Sequence, residues 1–224
     1  MKNIRIAIDG PSGAGKSTLA RHIAKTLGIP YLDTGAMYRA VALKVIRSGI
    51  GLADGGAIAR MLQDTRIDIE YRDDSQHILL DGEDVSGEIR SSEVSMGASA
   101  VSAHLSVREC LVSLQQDIAR RSGVVMDGRD IGTTVLPDAD IKIFLVASPE
   151  VRAQRRFLEL QEKGLLDKTY EALLEEIRVR DSNDSSRTHS PLEQAENAVL
   201  LDTTGFSLKE AIDAIMALIE ARKD

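Results

Sequence analysis

Cysteine is almost missing: Cys110 is the only one in 224 residues. That excludes a disulfide within the chain and any zinc site built on cysteine pairs. Cys110 lies among Val107, Leu111 and Leu114, company that predicts a buried structural thiol. Tryptophan is absent and aromatic residues make up 3% of the chain, against 43% hydrophobic residues. A core of mainly Ile, Leu, Val and Ala is expected. No apolar run reaches the roughly 18 residues of a membrane span, and no charged-then-apolar leader precedes the first strand. A cytoplasmic protein with no membrane partner is expected. The four histidines, His22, His77, His104 and His189, show no ligand spacing and are read as incidental. Positive charge is also short, with 28 Lys and Arg against 35 Asp and Glu, a net charge of -7. This excludes a general binder of nucleic acid or anionic membrane. It still allows a cleft where a few arginines meet a small phosphorylated ligand. Neither an internal repeat nor a low-complexity linker is present, so one compact α/β domain with inserted subdomains is expected.

What is present is a complete phosphate-binding loop, Gly10-Pro11-Ser12-Gly13-Ala14-Gly15-Lys16-Ser17. The apolar run Ile4–Ile8 before it is of strand length, and Thr18–Leu27 after it reads as a helix stopped by Gly28 and Pro30. Strand, glycine loop, helix is the context this motif requires. The glycines let successive backbone N–H groups point into one concavity, and the helix N-terminus adds partial positive charge. Gly10, Pro11, Ser12, Gly13, Ala14, Gly15, Lys16, Ser17 and Thr18 are therefore the expected ATP-binding residues, with Lys16 on the outer phosphates and the Ser17 hydroxyl on Mg²⁺.

Further along, Tyr31–Asp33 predicts a second strand, Thr34-Gly35 a turn, and Ala36–Ser48 a helix closed by Gly49. Residues 64–88 change texture: Ile67, Ile69 and Tyr71 alternate with polar residues, Asp73-Asp74-Ser75 turns, His77–Leu80 is extended and Asp81-Gly82 turns again. That predicts a small antiparallel insertion. Ser106 and Glu109 fit a capping box for a helix whose face is Leu111, Leu114 and Ile118. Val124–Asp127 and Ile141–Val146 read as buried parallel strands. Ser148-Pro149 opens a helix to about Lys163, Thr169–Arg180 forms another, and Asp181–Pro191 is expected to be a polar, mobile loop. Ala198–Asp202 is the last strand, and Ser207 with Glu210 a second capping box. The alternation predicts a five-stranded parallel sheet with right-handed crossovers.

A phosphate loop names a nucleoside triphosphate and leaves the reaction open. The guanine-reading Asn-Lys-x-Asp of switch GTPases is missing, and transport-type ATPases are usually longer. Small kinases remain, and these need a second anion site. Arg39, Arg108, Arg129, Arg180 and Arg187 each fall at a predicted strand-end loop or helix terminus. Arginine suits phosphate because its charge is permanent and its donors are bidentate. Arg180 and Arg187, seven apart, suit a lid that closes over phosphates and excludes water.

Five stretches together resemble the bacterial cytidylate kinases, the longer type among nucleoside monophosphate kinases. They are Ile8–Ser17, Leu32–Arg39, Gly82–Arg90, Asp127–Gly132, and Arg180-Asp181 through Asp184 to Arg187. The resemblance implies a P-loop kinase fold with three parts. These are a core (about 1–35, 123–150 and 190–224), a nucleotide-acceptor region carrying a β-containing CMP-binding insertion (about 36–122), and a short lid (about 151–189). It implies transfer of the ATP γ-phosphoryl group to CMP or dCMP, with Mg²⁺, by an enzyme expected to be monomeric. Lys16, Arg129, Arg180 and Arg187 would act in catalysis. Thr34, Tyr38 and Arg39 would lie at the acceptor, Ser99, Arg108, Arg129 and Asp130 at or near its base, Asp184 at its sugar, and Arg180 and Arg187 at phosphates. Asn183 and Ser185 stand where the family's lid often carries basic residues. A kinase for another small acceptor, or a nucleotide-dependent switch protein with little turnover, remains an alternative.

Overall fold

A computed structural model of the chain describes residues 3–73 and 75–221. The first strand, β1 (Arg5–Asp9), leads through the glycine loop into α1 (Lys16–Leu27). There follow β2 (Tyr31–Asp33), α2 (Thr34–Arg47), α3 (Gly55–Gln63), β3 (Ile67–Arg72), β4 (Ser75–Leu80), β5 (Glu83–Asp84), α4 (Ser92–Val101) and α5 (Leu105–Arg121). The chain returns as β6 (Val124–Gly128), β7 (Ile141–Val146), α6 (Pro149–Glu162), α7 (Tyr170–Ser185), β8 (Val199–Asp202) and α8 (Leu208–Glu220). A five-stranded sheet has the order β2-β6-β1-β7-β8, and a separate sheet the order β3-β4-β5. β1 pairs in parallel with β6 and β7, and β7 with β8. The small sheet is antiparallel, as the alternation of residues 64–88 predicts. The turn expected at 73–75 includes Asp74, which lies outside the described residues.

The chain divides into two compact units, residues 1–30 with 122–224, and residues 31–121. In the first unit β1 and β6 are nearly continuous runs of buried residues, the pattern of central parallel strands covered on both faces. Ile6, Ile8, Met126 and Ile143 are fully enclosed with Ile23 of α1. In the second, Met37 and Val41 of α2, Ile58 of α3, Ile78 of β4 and Leu111 of α5 are buried. No aromatic side chain is buried among the described residues, so the core is aliphatic. No helix among them is long and apolar enough to cross a membrane.

Several local expectations need correcting. Thr34 and Gly35 form the first turn of α2 instead of a turn before it, because the Asp33 carboxylate accepts from Ala36 N and starts the helix there. Ser106 does not cap α5: Arg108 N already donates to His104 O, so the helix begins before Ser106 can act. The buried face of α5 is Val107, Arg108, Leu111, Gln115 and Ala119, with Leu114 and Ile118 only half-buried. Cys110 is exposed, since it sits off that face. It borders a cavity of about 310 Å³ between α5 and the start of β3, lined among others by Thr65, Ile67 and Leu114. α7 continues to Ser185, so five residues of the expected mobile loop are helical and Arg180 lies inside the helix. Ion pairs of Asp181 with Arg152, and of Asp184 with Arg129 and Arg187, account for that extension.

Candidate active site

The glycine loop is the most constrained turn in the first unit. Gly10 has φ 147°, and a Cβ there would lie 1.9 Å from Leu145 O, so no other residue fits. Gly15, at φ 96°, is the residue before α1 and leaves its first N–H groups uncovered by any side-chain cap, as a loop that receives phosphate requires. Lys16 is buried, and its Nζ donates to Pro11 O at 2.7 Å across the loop. Burial pulls its pKa down to about 7, with Arg129 and Arg180 acting in the same direction and Asp127 and Asp9 opposing them. A lysine in this setting regains its charge when a polyanion replaces water around it.

Around that loop the first unit arranges a set of acids and arginines. Ser17 Oγ donates to Asp127 Oδ2 at 2.9 Å, joining the start of α1 to β6. Asp9, the last residue of β1, is buried and accepts from Ile131 N at 2.8 Å and Gly132 N at 2.7 Å. These amides open the π-helical turn Ile131–Val135, immediately after Arg129 and Asp130. Burial raises the Asp9 pKa to about 6 despite the two amide bonds. Arg129 Nε donates to Asp184 Oδ2 at 2.7 Å, and Arg187 Nη2 to Asp184 Oδ1 at 2.8 Å. Burial alone would lift the Asp184 pKa, but the two guanidinium charges outweigh it and hold the carboxyl below the usual range. Arg152 is buried and ties three pieces together. Its Nε donates to Ala147 O at 2.8 Å, Nη1 to Ser12 O at 3.0 Å, and Nη1 and Nη2 to the Asp181 carboxylate at 3.0 and 2.5 Å. The phosphate loop, the end of β7 and α7 are thus held by one side chain.

In the second unit the expected acceptor residues gather on α2, α4 and α5. Thr34 is buried, and Tyr38 and Arg39 are half-buried on the first turns of α2. Arg39 Nη2 pairs with Asp33 Oδ2 at 2.8 Å. The guanidinium carbon of Arg108 lies 5.7 Å from the centre of the Tyr38 ring, within cation–π range. Its Nη1 reaches Ser102 O at 3.5 Å, and Ser102 Oγ donates to Ser99 O at 2.8 Å. Tyr38, Ser99 and Arg108 are therefore linked by a chain of contacts.

The family model for cytidylate kinase matches residues 6–221. The chain belongs to this family. It is 52% identical to a cytidylate kinase from Caldicellulosiruptor bescii over 218 residues, 97% of this chain and 96% of that one. It is 51% identical to one from Lysinibacillus sphaericus over 221 residues, 99% and 98% of the two chains. Among solved structures, a shikimate kinase from Bacteroides thetaiotaomicron is similar at a TM-score of 0.51 and 15% identity, covering 97% of this chain and 98% of that one. A gluconokinase from Sinorhizobium meliloti gives the same score at 17% identity, covering 99% and 94%. These two likenesses concern the P-loop kinase fold alone.

Of the residues that sequence reasoning named, the loop with Lys16, Arg129, Asp130, Arg180, Asp184 and Arg187 belong to the first unit. Thr34, Tyr38, Arg39, Ser99 and Arg108 fall together in the second. Sequence reasoning passed over Asp9, Arg152, Asp181 and Asp33. Asp127 carried a readable signal, an acid closing an apolar strand. Asp9 carried the same one. Arg152 carried none, because a single arginine in the first turns of an amphipathic helix looks like surface.

Proposed function

We propose that the protein transfers the γ-phosphoryl group of ATP to CMP or dCMP, giving ADP and CDP or dCDP. The observation that carries this reading is the match to cytidylate kinases over nearly the whole chain at about half identity. The acceptor phosphate is itself an anionic nucleophile, so no side-chain nucleophile is needed. One of its oxygens forms a bond to the γ-phosphorus as the bond to the β-γ bridging oxygen breaks, and ADP leaves with that electron pair. The protein's part is alignment and charge neutralisation.

Backbone N–H groups between Ser12 and Thr18 would hold the β-phosphate region, and Lys16 the outer phosphates. Ser17 Oγ and the Asp127 carboxylate offer hard oxygen donors of the kind Mg²⁺ takes. Bound there, the ion would neutralise developing phosphate charge. Arg129, Arg180 and Arg187 would carry charge toward the transferring group. Thr34, Tyr38 and Arg39 would hold the acceptor, Arg39 at its phosphate, while Asp184 would meet the sugar. Cytosine presents an N4 amino donor beside N3 and O2 acceptors. A carboxylate at Asp130 would accept from N4, with Ser99 and Arg108 donating to the other two. Uracil reverses the pattern at position 4 and N3 and would leave buried polar groups unpaired.

An ADP-release assay across CMP, dCMP, UMP, AMP and GMP tests the reading. Selective turnover of CMP and dCMP is expected. Turnover of a different acceptor, or none above background hydrolysis, would replace it with one of the alternatives.

A further inference from the structure

The antiparallel sheet reaches the start of the acceptor helix through two side chains. β2 is the outermost strand on its side of the five-stranded sheet, so its outer backbone groups lack a strand partner. Tyr71 and Gln76 supply them. These two face each other across β3 and β4. Tyr71 Oη donates to Tyr31 O at 3.0 Å. Gln76 Nε2 donates to Asp33 O at 3.3 Å, while Gln76 Oε1 accepts from Asp33 N at 2.7 Å. Residues 31 and 33 present their backbone groups to the same edge of a strand, so the pair grips that edge as another strand would.

Asp33 passes the grip onward. Its Oδ1 accepts from Ala36 N at 3.0 Å and starts α2, and its Oδ2 holds Arg39 Nη2 at 2.8 Å. Gly35 fits inside this bend: a Cβ there would lie 3.1 Å from Asp33 Oδ1 and 3.3 Å from Arg39 Nη1. Arg39 Nε is buried without a hydrogen-bond partner, and the side chain keeps 20% of its surface exposed, so Asp33 orders the guanidinium without covering it.

We infer that Gln76 is a positioning residue for the acceptor phosphate. It fixes the backbone of Asp33, and Asp33 fixes Arg39, so that a nucleoside monophosphate meets a guanidinium already ordered. The inference rests on the proposed role of Arg39 at the acceptor. Holding an arginine in advance removes the entropic cost of ordering it on binding, which gives the insertion a physical task away from its own sheet.

The test is calorimetric titration of the full chain with CMP and, separately, with ATP. It uses four proteins: the unchanged sequence, Gln76→Ala, Arg39→Ala and the double variant, each checked by thermal unfolding. Losing the contacts of Gln76 is expected to weaken CMP binding about 5–10-fold, the size of one or two net hydrogen bonds, with ATP affinity within about twofold. Once residue 39 is alanine, Gln76→Ala is expected to add less than about twofold, because coupled residues are not additive. Gln76→Asn, shorter by one methylene, replaces Gln76→Ala if the alanine variant does not fold. CMP affinity unchanged by the Gln76 variant, or lowered equally in both backgrounds, overturns the inference and leaves the role of Arg39 standing. CMP affinity unchanged in Arg39→Ala overturns both.

Discussion

Lys16 is buried against two arginines and has a pKa near 7 in the folded chain, against 10.5 ordinarily. In the unfolded chain the lysine keeps its proton up to its ordinary value. Between the two values unfolding therefore takes up a proton. The penalty on folding is full below pH 7, shrinks as pH rises to about 10.5, and is absent above it. Lys16→Met is expected to raise the melting temperature at pH 6.5, with a gain that narrows toward pH 10. Turnover should fall on the order of 10²-fold or more, because the charge proposed to act on the outer phosphates is lost. A variant no more stable at pH 6.5 than the parent would show that the lysine is not destabilised. The same linkage makes ATP binding draw in a proton above pH 7, and ATP affinity is expected to decline as pH rises from 7 to 9. Titrations in buffers of different ionisation heat read that proton directly.

Asp130 is a second residue whose effect can be isolated. It is buried at the head of the π-helical turn that Asp9 anchors. On its proposed role as acceptor for the cytosine amino group, replacing Asp130 by alanine should lower kcat/KM for CMP on the order of 10²-fold and lower that for UMP much less. Equal losses on both would remove it from base reading.

Helix caps show how far the elements follow from sequence. Ser148 caps α6 through Val151 N with Pro149 in the first turn, and Ser207 with Glu210 closes a capping box on α8. Both were legible, because capping is local chemistry confined to four residues. The strands β6 and β7 were legible because each is a near-continuous apolar run, the pattern of buried parallel strands. The misread end of α7 has its cause in distant partners. α7 outlasts its sequence pattern because Asp181 meets Arg152, and Asp184 meets Arg129, 29 and 55 residues away. No local rule anticipates such pairs. α3 went unread because its single buried residue, Ile58, gives little periodic signal. The site divides likewise: the loop was visible as a motif and Asp9 as an acid closing an apolar strand, whereas Arg152 became visible only once α6 and α7 were placed. The Arg152–Asp181 pair also supports a prediction. Asp181→Ala would strand a buried guanidinium, and removing one member of a fully buried pair costs about 3–5 kcal/mol; Asp181 is a quarter exposed, so a loss below that range, about 2–3 kcal/mol, is expected in chemical denaturation. Arg152→Met with Asp181→Leu should recover most of it. A single variant as stable as the parent would mean that water already shields the pair.

At the scale of the whole molecule, charge and architecture point in different directions. The chain carries a net charge of -7, yet Lys16, Arg129, Arg152, Arg180 and Arg187 all belong to the unit formed by residues 1–30 and 122–224. The entire glycine loop belongs to it too. The antiparallel sheet and α2–α5 belong to the other unit. ATP without acceptor should therefore stabilise one unit and leave the other as it was. A ligand at a hundred times its Kd adds about 2.7 kcal/mol to the state that binds it. Amide exchange that proceeds through opening of that unit should slow by roughly two powers of ten. With saturating ATP and Mg²⁺, slower exchange is expected in residues 13–27 and 149–187, and unchanged exchange in residues 57–90. CMP alone should slow residues 31–40 and 92–115 and, in the first unit, only the segments around Asp130 and Asp184. Equal slowing of residues 57–90 by ATP would show that the donor nucleotide is felt throughout the chain. The division of labour between the two units would then be wrong, whatever the assay says about turnover.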